Sequence, residues 1–228
     1  MSAGAVREFP VLTFASGPTN SMRGAAYLSG LKDAIVVDIG GTTTDVGALK
    51  GGFPRESSIN ADVGGVRTNF RMPDILSIGL GGGSLVRCKG GRVRVGPDSV
   101  GYALVEKALV FGGDTLTATD IAVAAGYAEV GDRSRVKNLD AALVTAAVDE
   151  IHRTVENGVD RMKVSGEAAT LILVGGGAAL IDRPVAGASE TLRDVNAGVA
   201  NAIGAAVAMV GGEIDRVFSY ETQGREAA

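Results

Sequence analysis

The strongest signal in this 228-residue chain is the stretch Val36-Val37-Asp38-Ile39-Gly40-Gly41-Thr42-Thr43-Thr44-Asp45-Val46. A β-branched run at residues 33–39 predicts one strand, and residues 44–49 predict a second. Gly40-Gly41 between them predicts a tight hairpin turn. A third strand is predicted at residues 53–61, so the first three strands are expected to form an antiparallel meander.

Asp38 is the residue in this stretch that a plain β-hairpin does not explain. A carboxylate within an apolar strand is costly unless it is paired or functional. The glycines that follow allow backbone N–H groups to point into a concavity suited to phosphate oxygens, and the threonines add hydroxyl donors. The stretch therefore predicts phosphate binding by a set of five residues: Gly40, Gly41, Thr42, Thr43 and Thr44.

Two carboxylates flank this predicted phosphate loop. Asp38 is expected to hold a hydrated Mg²⁺ or to orient an attacking group, because phosphoryl transfer needs charge neutralisation and alignment. Asp45 either binds the backbone of its own loop or joins the metal shell, and the sequence leaves both interpretations open. Asp38 is thus the candidate catalytic residue, and Asp38 with Asp45 the candidate metal ligands.

The rest of the chain predicts an α/β domain. Helical patterns occupy residues 16–30, 117–126, 139–159 and 195–210, the first of them with Ser16 as its predicted N-cap. An apolar strand is predicted at residues 170–174 in the same sheet as the meander. Shorter strands are predicted at residues 11–15, 84–88 and 92–95.

Two glycine triplets are further candidates for cofactor contacts. Gly175, Gly176 and Gly177 close the strand at residues 170–174 and are predicted to open a helix, which would let a purine or a ribose lie against the backbone. An ordinary strand-to-helix turn explains them equally well. Gly81, Gly82 and Gly83 resemble part of a dinucleotide fingerprint, but Ser84 takes the place of its last glycine and a strand follows, which argues against a Rossmann fold.

Composition excludes several classes of function. Apolar residues make up 46% of the chain and charged residues 21%, values typical of a globular domain. The net charge of -4 and the absence of a Lys/Arg run argue against a nucleic-acid partner. No apolar stretch is long enough to span a bilayer. The single cysteine, Cys88, fits a reducing cytoplasm, and the single histidine, His152, is predicted to be a partly exposed helix residue.

Several segments, taken in order, resemble the hydantoinase/oxoprolinase family. They are Ser16-Gly17-Pro18, residues 38–46, Ile78-Gly79-Leu80-Gly81-Gly82-Gly83-Ser84, Val95-Gly96-Pro97-Asp98-Ser99, Thr117-Ala118-Thr119-Asp120 and residues 199–206. The resemblance implies an actin-like ATPase (ribonuclease H-like) domain: a mixed sheet with a three-strand antiparallel meander, flanked by helices. ATP and Mg²⁺ would bind between two related domains, each with one phosphate loop. Only the second such loop is present here, so residues 1–228 are expected to be the second domain alone.

The resemblance also implies an activity. Family enzymes use ATP to activate a cyclic amide carbonyl, which water then opens, so the expected function is ATP-dependent hydrolysis of a hydantoin-type or 5-oxoproline-type substrate. The expected partners are that substrate, the missing first ATPase domain and a B-type subunit; a homo-oligomer is left open. The isolated chain is expected to be inactive. A non-catalytic ATP-binding scaffold or activator, and a small-molecule kinase, are the alternatives on the same fold.

Overall fold

The computed structural model of the chain describes residues 2–57, 62–63, 66–67 and 72–209. The strands in this part of the chain are β1 (Ala34–Ile39), β2 (Thr44–Lys50), β3 (Phe53–Pro54), β4 (Asp62–Val63), β5 (Val66–Arg67), β6 (Ile75–Ile78), β7 (Ser84–Lys89), β8 (Arg92–Ser99), β9 (Ala169–Val174) and β10 (Ala188–Leu192). The α-helices are α1 (Ala3–Glu8), α2 (Ser16–Ser29), α3 (Leu104–Lys107), α4 (Ala118–Ala125), α5 (Ala141–Met162) and α6 (Ala200–Ala206).

A mixed six-stranded sheet forms the centre of the domain. Its order is β10-β9-β1-β2, and β2 then pairs with β6 along its first half and with β3 at its end. β1, β2 and β3 are antiparallel, whereas β9 is parallel to both β1 and β10. The predicted meander is therefore confirmed, as is the place of residues 170–174 in its sheet. The third strand is shorter than predicted: β3 ends at Pro54, and residues 58–61 lie outside the described residues.

Helices cover both faces of the sheet, and the alternation along β1 shows why. Val37 and Ile39 point into a core shared with α5, whereas Val36 points into a second core shared with α2 and with Ala200 of α6. Successive side chains of a strand face opposite sides, so a strand covered on both faces is apolar throughout. The carboxylate of Asp38 interrupts this run at the end of β1.

The second core is closed by an unusually tight crossing of α2 and α6. A Cβ atom built on Gly24 would lie 1.9 Å from the Ala200 carbonyl oxygen, and one built on Gly204 would lie 1.8 Å from the Asn20 carbonyl oxygen. Both obstacles are backbone atoms, which cannot rotate away. The two glycines therefore permit a separation between the helices that no side-chain-bearing residue would allow.

Four local predictions were wrong. Residues 11–15 are not a strand: Pro10 opens a 3-10 turn, Pro10–Thr13, because its fixed φ suits the first position of a helical turn. The N-cap of α2 is Ala15 and not Ser16. The helix expected after Gly177 is a single 3-10 turn, Ala178–Leu180, since the proline at position 184 disfavours helix just before it. The last helix is shorter than residues 195–210, being α6 after a 3-10 turn at Ala197–Val199; residue 210 lies outside the described residues.

His152 also differs from expectation. Its side chain is 3% exposed, because it follows Ile151 and precedes Val155 on the buried stripe of α5. Burial, and then the charge of Arg183, lower the pKa of the imidazole. Its Nε2 atom has no hydrogen-bond partner among the described residues.

The described helices contain no segment with the length and apolar character needed to cross a bilayer.

Candidate functional site

The predicted site residues converge on one edge of the central sheet. β1 and β9 are parallel and both end at this edge, where β2 begins. Asp38 is in register with Val174 on β9 and with Asp45 on β2. Ligands of open α/β sheets bind outside the carboxyl ends of the parallel strands, so this edge is where a ligand is expected.

The hairpin tip, residues 40–43, presents unused donors at this edge. The Gly40 N–H donates to the Thr43 carbonyl oxygen at 2.8 Å, which closes the turn. Gly41, Thr42 and Thr43 are exposed, and their backbone N–H groups have no acceptor within the described ranges. Three successive amides and two threonine hydroxyls thus remain available to an anion.

Thr44, the last residue of the predicted phosphate loop, is placed differently. Its side chain is fully buried, and its Oγ1 donates to the Leu80 carbonyl oxygen at 2.7 Å. The hydroxyl therefore has its acceptor within the protein and ties β2 to the segment before Gly81. In this position Thr44 supports the hairpin tip.

The glycine turn, residues 81–83, lies directly behind the tip. The Gly82 N–H donates to the Gly40 carbonyl oxygen at 3.0 Å, and the Gly83 N–H donates to the Gly41 carbonyl oxygen at 2.7 Å. A Cβ atom on Gly81 would lie 2.6 Å from the Thr42 nitrogen. The Gly81 N–H donates to Ser84 Oγ at 2.9 Å. All three amide N–H groups thus donate to acceptors within the protein, and the glycine turn supports the hairpin tip from behind.

The second triplet, residues 175–177, packs against the end of β1. Gly175 has φ +88°, and a Cβ atom there would lie 2.3 Å from Asp38 Oδ1. The Gly177 N–H donates to the Ile39 carbonyl oxygen at 2.7 Å. Gly176 alone is exposed, with nothing near the position of a Cβ atom. The missing side chain of Gly175 leaves room for the Asp38 carboxylate, and Gly176 is the residue of the triplet that is accessible to a ligand.

Asp38 is half-buried, and its burial and two neighbours shift the pKa of its carboxyl, with a net rise. Burial raises the pKa of its carboxyl, a hydrogen bond from Ser21 lowers it, and the charge of Asp45 raises it. Ser21 is itself buried and accepts a hydrogen bond from Asn201 Nδ2 at 3.1 Å. Asn201 Nδ2 also donates to the Gly17 carbonyl oxygen at 2.9 Å, and because a carbonyl is only an acceptor, this contact fixes which way the amide faces.

Sequence reasoning missed Ser21 and Asn201 as neighbours of Asp38. The signal available was a polar residue in each of two helices otherwise rich in small residues. No spacing rule connects two positions 180 residues apart, so only the α2–α6 crossing shows that they meet.

Asp45 is partly buried opposite Asp38 and accepts a hydrogen bond from Ser77 Oγ. Within the described ranges no cluster of three or more His, Cys, Asp or Glu side chains could hold a metal ion. Two carboxylates nevertheless suit Mg²⁺, which in nucleotide sites takes one or two protein carboxylates and completes its shell with water and phosphate oxygens. A cation would also relieve the unfavourable environment of the Asp38 carboxylate.

A cavity of about 780 Å³ lies between β8 and α5, and its lining reaches Ile78, the register partner of Thr44. Its lining includes Arg92, Arg94 and Arg153 but none of the predicted site residues. We place the candidate site at the sheet edge, because the unused amides and the half-buried carboxylate are there.

Sequence comparison identifies similar proteins. The profile of the hydantoinase/oxoprolinase family matches residues 1–132. The acetophenone carboxylase gamma subunit of Aromatoleum aromaticum is 32% identical over 120 residues, which are 50% of this chain and 16% of that protein. The caprolactamase subunit alpha of Pseudomonas jessenii is 32% identical over 126 residues, 54% and 18% of the two chains. 5-Oxoprolinase 1 of Arabidopsis thaliana is 39% identical over 90 residues, 38% and 7% of the two chains.

Comparison with solved structures gives the fold. Nucleotide-free acetone carboxylase superposes with a TM-score of 0.68 at 24% identity, covering 84% of this chain and 32% of that one. The ATP-dependent caprolactamase of Pseudomonas jessenii superposes with the same TM-score and identity, covering 82% and 32%. The predicted fold class is confirmed: the domain shares the fold of these two structures, and its mixed α/β sheet contains the antiparallel three-strand meander. The chain spans 7–18% of the three sequence relatives named above.

Proposed function

Because the chain belongs to the hydantoinase/oxoprolinase family, we propose that it is the nucleotide-binding half of an ATP-dependent hydrolase of cyclic amides. The observation that carries the proposal is the hairpin tip: three unused backbone amides stand beside a half-buried carboxylate, where β1 and β9 end. Phosphoryl transfer depends on positioning and charge neutralisation, and these groups are suited to both.

Each residue set has a role in this proposal. The amides of Gly41, Thr42 and Thr43 and the two hydroxyls bind phosphate oxygens, and Gly176 lies beside the adenosine. Asp38 and Asp45 hold Mg²⁺, which supplies charge neutralisation when bound. Asp38 also aligns the reacting group, and Ser21 orients its carboxylate. Thr44, the glycine turn and Gly175 keep the tip and Asp38 in place.

The substrate and the partners belong to the same proposal. Caprolactamase and 5-oxoprolinase are named for cyclic amides, which favours such a substrate, of the hydantoin or 5-oxoproline type. The second candidate is a component of an ATP-dependent carboxylase, favoured by the equally similar acetophenone carboxylase subunit. The relatives' greater length favours a first ATPase domain as partner, and their subunit names favour a further, B-type subunit. A cytoplasmic location completes the proposal.

Steady-state ATP hydrolysis tests this function. We expect the complete protein that carries this domain to hydrolyse ATP faster when a cyclic amide is present, with 5-oxoproline, hydantoin and caprolactam as the probes. The isolated chain should turn over ATP negligibly, because a phosphate clamp acts from both sides of the nucleotide.

The other outcomes of this assay are equally informative. Robust turnover by the isolated chain would contradict its assignment as half of the site. Stimulation by a ketone with bicarbonate, and not by amides, would favour the carboxylase. A stable phosphorylated product would indicate a kinase, and binding without turnover in the complete protein would indicate a scaffold or activator.

A further inference from the structure

The N-terminus of α4 is bonded to the glycine turn behind the hairpin tip. The backbone N–H of Thr119 donates to the Gly82 carbonyl oxygen at 2.9 Å, and its Oγ1 donates to the same oxygen, also at 2.9 Å. One residue thus places two donors on one carbonyl. α4 itself lies one layer behind the turn, and Thr119 makes no hydrogen bond to the tip.

This end of α4 is held rigidly. Thr117 and Asp120 form a reciprocal capping box, in which the fully buried Asp120 carboxylate accepts from Thr117 N and Thr117 Oγ1 at 2.8 Å each. The same carboxylate accepts from the Val110 N–H at 2.8 Å. A side chain that projects from a doubly fixed helix end is well suited to hold another segment in position.

α4, the glycine turn and the hairpin tip are in close contact with one another. A Cβ atom on Gly82 would lie 2.9 Å from Thr119 Oγ1, and a Cβ atom on Gly83 would lie 3.0 Å from the Gly41 carbonyl oxygen. The glycine turn is therefore tightly packed between α4 and the hairpin tip. A shift of α4 would displace the turn, and a shift of the turn would displace the tip.

Because each peptide group is planar, the bond from Thr119 to the Gly82 carbonyl also fixes the orientation of peptide groups nearer the hairpin tip. In a trans peptide the C=O of one residue and the N–H of the next point in opposite directions. Thr119 bonds the Gly82 C=O, so the Gly83 N–H of the same plane points the other way, to the Gly41 carbonyl oxygen at 2.7 Å. That bond fixes the next plane, whose opposite end is the exposed N–H of Thr42. Aligned hydrogen bonds of this kind also polarise and strengthen one another.

We propose that Thr119 is a positioning residue of the nucleotide site, which aims the Thr42 amide at the bound phosphate through two peptide planes without touching the ligand. The inference rests on the proposed function for the identity of the ligand. The pre-orientation of the tip is a property of the chain alone, and it is measurable without nucleotide.

Amide hydrogen exchange in the nucleotide-free chain, followed by NMR, tests the pre-orientation. In Thr119→Val, which keeps the shape and removes the hydroxyl, we expect the Gly83 amide to exchange about tenfold faster, the equivalent of one lost hydrogen bond. Thr119→Ser keeps the hydroxyl and should restore wild-type exchange. Thr154→Val is the matched control, since that hydroxyl donates only to its own helix, at the Glu150 carbonyl oxygen.

Titration with Mg-ADP is the second measurement. The dissociation constant should rise about tenfold in Thr119→Val and stay at the wild-type value in Thr119→Ser and Thr154→Val. Unchanged Gly83 exchange in Thr119→Val, or failure of Thr119→Ser to restore it, would overturn the inference. Failure of the complete protein that carries this domain to bind Mg-ADP would instead refute the proposed function, and exchange would still decide the role of Thr119. If Thr119→Val does not fold, Thr119→Ala carries the same expectations.

Discussion

Asp38→Asn should lower ATP turnover by the complete protein by a factor on the order of a hundred or more, while the domain stays folded. The substitution keeps the shape of the side chain and removes the charge that aligns the reacting group and binds the cation. Stability should survive, because the carboxylate is half-buried, faces Asp45 and has Ser21 as its identified hydrogen-bond donor. Removing an incompletely compensated charge is often neutral or stabilising.

Steady-state ATPase activity and thermal unfolding of the same variant test this expectation together. Asp33→Asn is the matched control and should leave turnover unchanged, because Asp33 is exposed just before β1, where it pairs with the exposed Lys50 and accepts a long hydrogen bond from the Gly51 N–H. Near-normal activity in Asp38→Asn would reduce Asp38 to a hairpin residue. Lost activity together with a collapsed fold would make its role structural.

Gly24→Ala should destabilise the domain by at least about 2–3 kcal/mol. The added methyl group would meet the Ala200 carbonyl oxygen at 1.9 Å, so α6 has to move away from α2. That movement also separates Asn201 from Ser21 and removes one restraint on the Asp38 site. The expected loss is large because the obstacle is backbone and the helices pack over most of the length of α6.

Gly4→Ala is the control for this prediction. Gly4 lies in α1, is not followed by a proline, and its Cβ position meets only Ser2 Oγ, at 3.9 Å. Alanine is the better helix former, so this variant should be neutral or stabilised by up to about 1 kcal/mol. The measurement is urea unfolding of both variants beside the wild-type chain. Equal stability of the two variants would show that the crossing of α2 and α6 is looser than described.

The sequence predicts those elements of the fold whose signals lie in residues close together in the chain. The β-branched runs around Gly40-Gly41 predict β1, β2 and the turn between them, and the apolar run before Gly175 predicts β9. Thr117 and Gly126 mark the two ends of α4 as its N-cap and C-cap. These features depend on residues within one or two turns of each other, where propensity and capping act directly.

The supporting contacts of the site depend on distant residues, which one sequence does not connect. The glycine turn was predicted to contact the cofactor, whereas two of its amides donate to the carbonyl groups of Gly40 and Gly41, some forty positions earlier, and the third donates to Ser84 Oγ. Thr44 was grouped with its exposed neighbours, although its hydroxyl is directed to Leu80. A glycine triplet looks the same in sequence whether it lies against a ligand or against another loop, because both uses need a missing side chain.

We propose that nucleotide phosphates bind at the hairpin tip, and an NMR titration of the chain with Mg-ADP tests this directly. We expect the largest amide shifts at Gly41, Thr42, Thr43 and Gly176, and we expect Asp38→Asn to weaken binding when Mg²⁺ is present. Shifts confined to the cavity between β8 and α5, or no shifts at millimolar nucleotide, would contradict it.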